Sequence, residues 1–261
     1  MKLMNILKYG PGERGRRRKR EKMFQAYAAQ FAELGAWAND GALARRNYAS
    51  YADYLAHQAQ KLDGVAGRLK EREPRDLAQF KRRFQSCPWL GGARTVLCLG
   101  ARLGTEVCAL RELGHFAVGI DLNPGPQNTS VMYGDFHNIA FPDASADAIY
   151  TNALDHTFDL DRLIGEVHRV LRPDGVFVAD VTIGFDEGYP PGEFESLAWS
   201  DTATLIERWC ESGQFTVKQS RGLAGAASSL WQQVVFGRVS LQPVSRQADE
   251  PQPAAAPTAA P

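Results

Sequence analysis

Long apolar runs, paired cysteines and an excess of charge of one sign are all missing from this sequence. Its 261 residues carry 30 basic and 30 acidic side chains. A chain without net charge has no overall field that favours nucleic acid or an acidic substrate. No run of about 18 apolar residues is present, and no apolar core follows the first charges. Neither a membrane-spanning helix nor a signal peptide is therefore expected.

The few cysteines argue against a metal site and against a disulfide framework. No CxxC pair occurs among the four, and two of them lie in apolar stretches. Free cysteines of this kind are usually small buried side chains. We therefore expect no bound metal, a cytoplasmic protein and reduced thiols at Cys87, Cys98, Cys108 and Cys210.

The two ends of the sequence differ in composition from the middle. Residues 11–22 carry seven basic side chains against two acidic ones, whereas residues 242–261 are rich in proline and alanine. The basic arm is either a contact for anionic lipid or nucleic acid, or a solvated lead-in. We favour the second because its apolar part is too short to anchor the chain. The tail is predicted to be disordered and without chemistry.

A helical section is predicted before the main domain. Residues 23–34 and 48–62 repeat their apolar side chains at helical spacing. Pro74 is predicted to open a further helix that runs to Phe84. A helical section in this position commonly covers the open end of a sheet, so it is a candidate lid. The predicted divisions are the arm 1–22, the helical section 23–90, the main domain 91–241 and the tail 242–261.

The main domain alternates short apolar segments with amphipathic ones, which predicts an α/β fold. The alternation predicts a mostly parallel sheet with right-handed crossovers and helices on both faces. Strands are predicted at 95–99, 116–120, 147–151, 175–181, 214–219 and 231–239, and helices at 159–171 and 201–212. Residues 182–199 are predicted to form a loop rich in glycine, proline, acids and aromatic side chains.

A glycine turn follows the first strand of this domain, where an open α/β sheet binds its ligands. Gly100 permits a sharp bend, and Gly104 lets the backbone approach a ligand at the helix start. Asp121 lies seventeen residues after Gly104 and ends the second strand, where it can accept hydrogen bonds from both hydroxyls of a ribose. Arg102 and Thr105 stand where a dinucleotide loop has glycines, which argues against a pyrophosphate on this backbone.

Five segments occur in the order and at the spacing of a known family. They are "LCLGARLG" (97–104), "GIDLNP" (119–124), "GDFHNIAFPDASADAIY" (134–150), "NALDH" (152–156) and "EVHRVLRPDGVFVADV" (166–181). Together they resemble the class I S-adenosylmethionine-dependent methyltransferases, in the small-molecule branch with a type 11-like domain. The resemblance implies a Rossmann-like fold, S-adenosylmethionine as cofactor and methyl transfer as the activity.

The resemblance also implies roles for the residues that match its motifs. Gly100 and Gly104 would shape the loop around the methionine tail of the cofactor, and Asp121 would bind the ribose. Residues near the adenine would be Leu122, Asp135 at its amino group and Phe136 against the ring. Asn152 would lie near the sulfonium and the acceptor.

Two positions depart from the family pattern. Cys98 stands where many members have an acid that secures the amino group of the cofactor, and Arg102 stands where many have a glycine. Glu106, one turn into the helix, is a candidate substitute for that acid. Arg102 is expected to pair with the carboxylate of the cofactor or with Glu106.

A hydroxyl acceptor would benefit from a general base, typically worth about 10²–10⁴-fold in rate. Asp155 and His156 follow the fourth strand, at the rim where the methyl group is expected. His156 is the first candidate base, although a purely structural role for it stays equally open, and His137 is a weaker candidate. The residues that either line the acceptor pocket or pack its loop down are Tyr189, Phe194 and Trp199.

Three functions therefore compete. The leading hypothesis is methyl transfer to oxygen, nitrogen or carbon of a small-molecule or glycan-like acceptor. A nicotinamide-dependent oxidoreductase is disfavoured by Arg102 and by the lack of an evident Tyr-x-x-x-Lys relay. A binding protein that kept the fold and lost the cofactor stays open because of Cys98 and Arg102. The "NALD" segment and the lack of a basic core face argue against a nucleic-acid substrate.

Overall fold

The computed structural model describes residues 36–223 and 230–239, together with five single positions between 18 and 29. The predictions for the basic arm, for the helix over 23–34 and for the tail fall outside the described residues, apart from those single positions. Among the described helices, none is both long enough and apolar enough to cross a membrane.

Strands and helices alternate along the described chain. The strands are β1 (Trp37–Asn39), β2 (Leu43–Arg46), β3 (Thr95–Leu99), β4 (Phe116–Asp121), β5 (Val131–Tyr133), β6 (Ala146–Thr151), β7 (Leu171–Thr182), β8 (Leu197–Trp199), β9 (Phe215–Gly222) and β10 (Trp231–Arg238). The α-helices are α1 (Tyr51–Gln85), α2 (Thr105–Glu112), α3 (Leu160–Val170) and α4 (Thr202–Cys210).

A seven-stranded sheet forms the centre of the described residues and confirms the predicted fold class. Its strand order is β5-β4-β3-β6-β7-β10-β9. The strands from β5 to β7 are parallel, and β10 runs antiparallel to both of its neighbours. The chain moves outward from β3 to β5 and then returns to β6 on the other side. This reversal opens a crevice at the carboxyl ends of β3 and β6, where such sheets bind ligands.

Apolar side chains cover both faces of the central strands. Ile149 and Tyr150 are neighbours in β6, both fully buried, and belong to the two clusters on opposite faces of the sheet. Successive side chains of a strand point to opposite faces, so the continuous apolar run of β6 is what a strand buried on both sides requires.

Helix α1 is one helix of 35 residues, where the sequence predicted two. Ser50 caps its start, because its hydroxyl accepts a hydrogen bond from the backbone N–H of Asp53 at 3.2 Å. Pro74 lies inside the helix, so the prediction that it begins one is wrong. The turn around Pro74 is exposed, so water can take the place of the hydrogen bond that proline cannot make.

A β-hairpin precedes α1, so the predicted helical section 23–90 is wrong over 37–46. Strands β1 and β2 pair antiparallel, and β2 also pairs with β8 in a second, three-stranded sheet. Two side chains close the turn: Asn39 accepts from the N–H of Gly41 at 2.8 Å, and Asp40 accepts from the N–H of Ala42 at 2.9 Å. Pairing with β8 ties the hairpin to the loop that precedes this strand.

A buried polar network fastens α1 to the sheet. The Asp180 carboxylate in β7 is fully buried and pairs with the Arg83 guanidinium of α1 at 3.0 Å. The same carboxylate accepts hydrogen bonds from the Tyr150 hydroxyl and from the Gln233 amide, each at 2.9 Å. Because buried charges must be paired, this network fixes where the second half of α1 lies over the sheet.

Candidate active site

Two adjoining cavities lie at the carboxyl ends of the parallel strands. The large cavity has a volume of about 310 Å³ and the small cavity about 40 Å³. The residues that line both are Lys61, Gly100, Arg102 and His156. The two cavities are therefore halves of one groove, divided where the Lys61 side chain meets His156.

The glycine turn bends through three residues with left-handed backbone: Gly100 (φ 68°), Arg102 (φ 47°) and Gly104 (φ 83°). A Cβ on Gly100 would lie 2.7 Å from the Cβ of Ala153, so only glycine fits beneath the groove. A Cβ on Gly104 would lie 2.8 Å from Cγ2 of Val131 in β5. Glycine at position 104 therefore makes room for Val131 of β5, and not for a ligand.

Asp121 lies at the end of β4 and faces the small cavity, as predicted for a ribose-binding acid. Its two oxygens accept backbone hydrogen bonds from Arg102 and Asn123, both at 2.8 Å. Burial raises the pKa of the Asp121 carboxyl, and these two N–H donors oppose that shift. Each carboxylate oxygen has a further lone pair, so Asp121 can hold the turn and still accept bonds from a diol.

The adenine side of the groove agrees with the prediction only in part. Leu122 and Phe136 line the small cavity, but Asp135 does not. The Asp135 carboxylate accepts hydrogen bonds from the Tyr51 hydroxyl and from the backbone N–H and ring Nδ1 of His137. Asp135 therefore ties α1 to the segment after β5, and the structure offers no support for its contact with the adenine amino group.

His137 is fully buried, and both of its ring nitrogens make hydrogen bonds within the fold. Its Nδ1 lies 3.0 Å from the Asp135 carboxylate. Its Nε2 accepts from the backbone N–H groups of Phe158 and Asp159 at 3.1 and 3.2 Å. A ring with both nitrogens bonded inside the fold is a structural residue, so His137 is no longer a candidate base.

Side chains of α1 narrow the small cavity. Tyr54, Gln58 and Leu62 form the wall that faces Asp121 and Phe136. The remaining volume of about 40 Å³ is close to the space of one or two waters and far below that of an adenosyl group. The side chains of Asp121, Leu122 and Phe136 suit a nucleoside. The volume of the small cavity admits one only after side chains of α1 shift.

The large cavity contains the two residues predicted to hold the amino-acid tail of the cofactor. Arg102 and Glu106 both line it, as does Asn152. Cys98 is fully buried in the core beneath and takes no part. Burial raises the pKa of the Glu106 carboxyl to about 7, and Arg102 opposes the shift. A buried acid facing a cavity can gain a partner from a ligand ammonium group, which fits the predicted substitution for the acid missing at position 98.

Replacing Glu106 with glutamine is expected to stabilise the free protein at pH 8. The folded chain binds this proton more tightly than the unfolded chain, so the free energy of unfolding falls as the pH rises from 4.5 to about 7. The variant should gain about 3 kcal/mol at pH 8 and lose that pH dependence. Urea unfolding at pH 5 and pH 8 measures both values, and equal stability of the two proteins at pH 8 would contradict the assignment.

Asp155 and His156 lie where the sequence placed them, and the fold adds two residues that sequence reasoning missed. Lys61 of α1 contacts Nε2 of His156 through its Nζ, and Glu195 approaches from the loop before β8. The donor atoms of Asp155, His156 and Glu195 lie within 4.8 Å of one another. Such a group can accommodate a cation, and the ammonium group of Lys61 is the cation that lies beside it.

Arg46 of β2 holds the loop that carries Glu195. Its guanidinium donates to three backbone carbonyl oxygens at 2.9–3.0 Å, those of Gly192, Glu193 and Glu195. The next residue, Ser196, donates its backbone N–H to the carbonyl of Asp155 at 2.7 Å. The hairpin thus positions Glu195 against Asp155, which gives β1 and β2 a function in the site.

The three aromatic residues of this loop have different positions. Tyr189 lines the large cavity, as predicted for a pocket wall. Phe194 stacks on His57 with ring centroids 5.1 Å apart, and Trp199 is buried and donates its ring N–H to the carbonyl of Thr182. Phe194 and Trp199 therefore pack the loop down, and only Tyr189 is available to an acceptor.

One of the two missed residues left a signal in the sequence. Lys61 lies seven residues after the fully buried Tyr54, and therefore on the same face of α1. A lysine on a core-facing stripe is the kind of residue that marks a site. Glu195 left no such signal, because its position depends on contacts with a distant hairpin.

A family model described as "Methyltransferase domain" matches residues 97–179, which run from β3 into β7. The same segment carries the glycine turn, Asp121 and the Asp155–His156 pair. Residues 97–179 therefore match a methyltransferase domain, and the rest of the chain lies outside that match.

Similar proteins support the fold of the methyltransferase domain. A Burkholderia thailandensis 1,6-didemethyltoxoflavin-N1-methyltransferase, solved with S-adenosylhomocysteine, has a TM-score of 0.59 at 18% identity and covers 78% of this chain and 98% of its own. A Haloferax volcanii protein, solved in complex with the Trm112 methyltransferase activator, has a TM-score of 0.54 at 19% identity, with coverages of 70% and 97%. Such low identities show the shared fold alone.

A sequence relative with a closer local match is the sterol 24-C-methyltransferase of Eremothecium gossypii. It is 40% identical over 65 residues, which are 23% of this chain. The chain spans only 17% of the length of that relative. The match therefore supports the methyltransferase domain and does not extend to the acceptor.

Proposed function

We propose that this chain transfers the methyl group of S-adenosylmethionine to a small-molecule acceptor by in-line displacement. The observation that carries the proposal is the divided groove of a methyltransferase domain. Asp121 faces one half, and Glu106, Asp155 and His156 face the other. The cofactor supplies a methyl group that is already activated by a sulfonium, so the protein mainly aligns the reactants.

Each residue of the groove would bind the part of the cofactor that lies next to it. Asp121 would bind the ribose, with Leu122 and Phe136 beside the adenine. Arg102 and Glu106 would take the carboxylate and the ammonium of the amino-acid tail. Alignment of two reactants in a water-poor cleft can supply roughly 7–11 kcal/mol of the barrier reduction, so these binding contacts carry much of the catalysis.

The acceptor belongs on the far side of the large cavity. Asn152, Asp155, His156 and Tyr189 line it there, and further polar and aromatic side chains continue the wall: Arg72, Asp76, Gln79, Phe80, Arg83 and Trp231. Polar groups mixed with aromatic rings suit a small polar metabolite or a glycan-like molecule. The known acceptors of the similar proteins are a toxoflavin precursor and a sterol, so relatives do not select one class.

Thermal unfolding with a ligand panel tests this function against its alternatives. At one hundred times the dissociation constant a ligand adds about 2.7 kcal/mol, an upward shift of roughly 5–10 °C for a chain of this size. We expect this shift with S-adenosylmethionine and S-adenosylhomocysteine but not with NAD. A shift with NAD alone would indicate an oxidoreductase. No shift with any ligand, in a chain that unfolds cooperatively, would indicate a binding protein that has lost its cofactor.

A further inference from the structure

Lys61 lies at the boundary between the two halves of the groove. It lines both cavities, with Asp121 on one side and Glu106 on the other. The sulfur of S-adenosylmethionine lies between its ribose and its amino-acid tail. A ligand that spans the groove therefore brings its reactive centre to the boundary where Lys61 and His156 meet. This inference rests on the proposed function.

The hydrogen bonds of His156 fix which of its nitrogens carries the proton. Its Nδ1 lies 2.8 Å from the backbone carbonyl of Phe194, which can only accept, so Nδ1 is the donor. In the neutral ring Nε2 is then an acceptor, and it receives a hydrogen bond from the Lys61 amine. Burial, Lys61 and Arg102 hold the pKa of His156 well below its usual range. His156 is thus a weak base whose one lone pair orients Lys61.

Charged groups surround Lys61 from every neighbouring element. Burial and Arg102 of the glycine turn lower the pKa of the Lys61 amine to about 8, and nearby carboxylates oppose them. The carboxylates come from three parts of the fold: Asp121 at the end of β4, Asp155 after β6 and Glu195 before β8. The charge of Lys61 also lowers the pKa of two histidine rings, those of His57 and His156. Near neutral pH this amine can therefore exist with or without its proton.

Two further titratable side chains line the large cavity beside Lys61, those of Tyr189 and Asp155. Burial, Asp155 and Glu195 raise the pKa of the Tyr189 hydroxyl to about 12, so it keeps its proton. Burial and Glu195 raise the pKa of Asp155, and Lys61 opposes the shift. A carboxylate next to the Lys61 amine stabilises the ammonium form after proton uptake. Asp155 and Glu195 are thus placed to hold a charged Lys61 instead of acting alone.

We propose that Lys61 is the general base of the methyl transfer and that the acceptor group is a hydroxyl. The Nζ lone pair takes the hydroxyl proton, and the acceptor oxygen forms its new bond to the methyl carbon. The methyl–sulfur bond breaks and both of its electrons go to sulfur, which leaves a neutral thioether. One positive charge disappears from sulfur and one appears on Lys61, beside Asp155 and Glu195. An amine acceptor would need no such base, and a hydroxyl acceptor does.

Binding of the two sulfur ligands tests this proposal without knowledge of the acceptor. S-adenosylmethionine carries the sulfonium charge and S-adenosylhomocysteine does not, so the ratio of their dissociation constants reports the charge at the boundary. In the wild-type chain, titration calorimetry should show that the affinity for S-adenosylmethionine, relative to that for S-adenosylhomocysteine, rises about tenfold between about pH 6.5 and about pH 9.5. The gain follows from the loss of the ammonium charge as the pH rises through the pKa of Lys61.

Two substitutions of Lys61 separate its charge from its bulk. Lys61→Met removes the charge, so the relative affinity for the sulfonium ligand should be higher at low pH and should rise clearly less with pH than in the wild-type chain. The remaining rise comes from the carboxyls of Asp155 and Glu106. Lys61→Arg keeps a permanent charge, so the ratio should disfavour the sulfonium ligand at every pH. Asp155→Asn controls for the neighbouring carboxyl, and it should leave the pH dependence in place.

The outcomes distinguish this proposal from the function on which it rests. Both ligands binding with a pH-independent ratio in the wild-type chain would overturn the role of Lys61 and leave the methyltransferase function standing. A pH dependence of wild-type size that survives in Lys61→Met would assign it to another group and would also overturn the role. No binding of either ligand would remove the function itself.

Discussion

Asp121→Asn is expected to weaken the binding of S-adenosylhomocysteine about 100-fold. The change removes the negative charge that would accept hydrogen bonds from two ribose hydroxyls, and bonds to charged groups contribute roughly 1.5–3 kcal/mol each. It also turns an amide donor toward one of two backbone N–H groups, those of Arg102 and Asn123. Titration calorimetry of the variant and the wild-type chain measures the difference.

A matched control for this change is Asp174→Asn. Asp174 is exposed and lies near the start of β7, at the opposite end of the sheet from the groove. This control should bind S-adenosylhomocysteine as the wild-type chain does. If Asp121→Asn folds and also binds the ligand with wild-type affinity, Asp121 is not the ribose acid and the ligand does not lie in the small cavity.

Asp180→Ala is expected to lower the free energy of unfolding by about 3–5 kcal/mol, the usual loss when one partner of a buried ion pair is removed. The change leaves the guanidinium of Arg83 mostly buried, with its side chain 15% exposed and without its carboxylate. The Tyr150 hydroxyl and the Gln233 amide lose their acceptor as well. A fall of about 10 °C in the unfolding midpoint would match this loss.

Two further variants show whether the loss belongs to the pair. Arg82→Met changes the exposed arginine next to Arg83 in α1 and should cost less than about 0.5 kcal/mol. In the double variant Arg83→Met with Asp180→Ala, the loss should be clearly smaller than the sum of the single losses, because the pair acts as a unit. Additive losses, or a loss below about 1 kcal/mol for Asp180→Ala, would contradict the network.

Strand and helix positions in the main domain could be predicted because their pattern is local. The prediction for β3 was 95–99, as observed, and that for α3 was 159–171 against the observed Leu160–Val170. Both segments are short and are buried against the same core. Apolar residues at a spacing of two or of 3.6 therefore identify them without knowledge of distant contacts.

The hairpin was missed although its turn signal is present in the sequence. "NDG" at 39–41 is a typical turn sequence, and Gly41 adopts the left-handed conformation (φ 91°) that such turns require. The flanking strands have only three and four residues, and their pairing depends on β8, some 150 residues later. The segments on both sides of this turn, 23–34 and 48–62, have helical periodicity, so the short hairpin between them was assigned to the helical section.

Contacts between distant segments set the limits for the site as well. Motif spacing brings Asp121, Asp155 and His156 to the groove because all three follow predicted strands and so meet at one edge of the sheet. Asp135 also follows a strand and was expected at the ligand, but its carboxylate accepts a hydrogen bond from the Tyr51 hydroxyl of α1 instead. Lys61 and Glu195 enter from segments on either side of the family motifs. Lys61 and Glu195 therefore could not be predicted from the motifs.

We expect one molecule of S-adenosylmethionine or its product to occupy both halves of the groove. The most direct test is titration calorimetry of S-adenosylhomocysteine into the full chain, with NAD as the comparison. We expect one binding site per chain for S-adenosylhomocysteine and no binding of NAD. A cooperatively folded chain that takes up no S-adenosylhomocysteine would contradict the claim, and the groove would then belong to a protein without the cofactor.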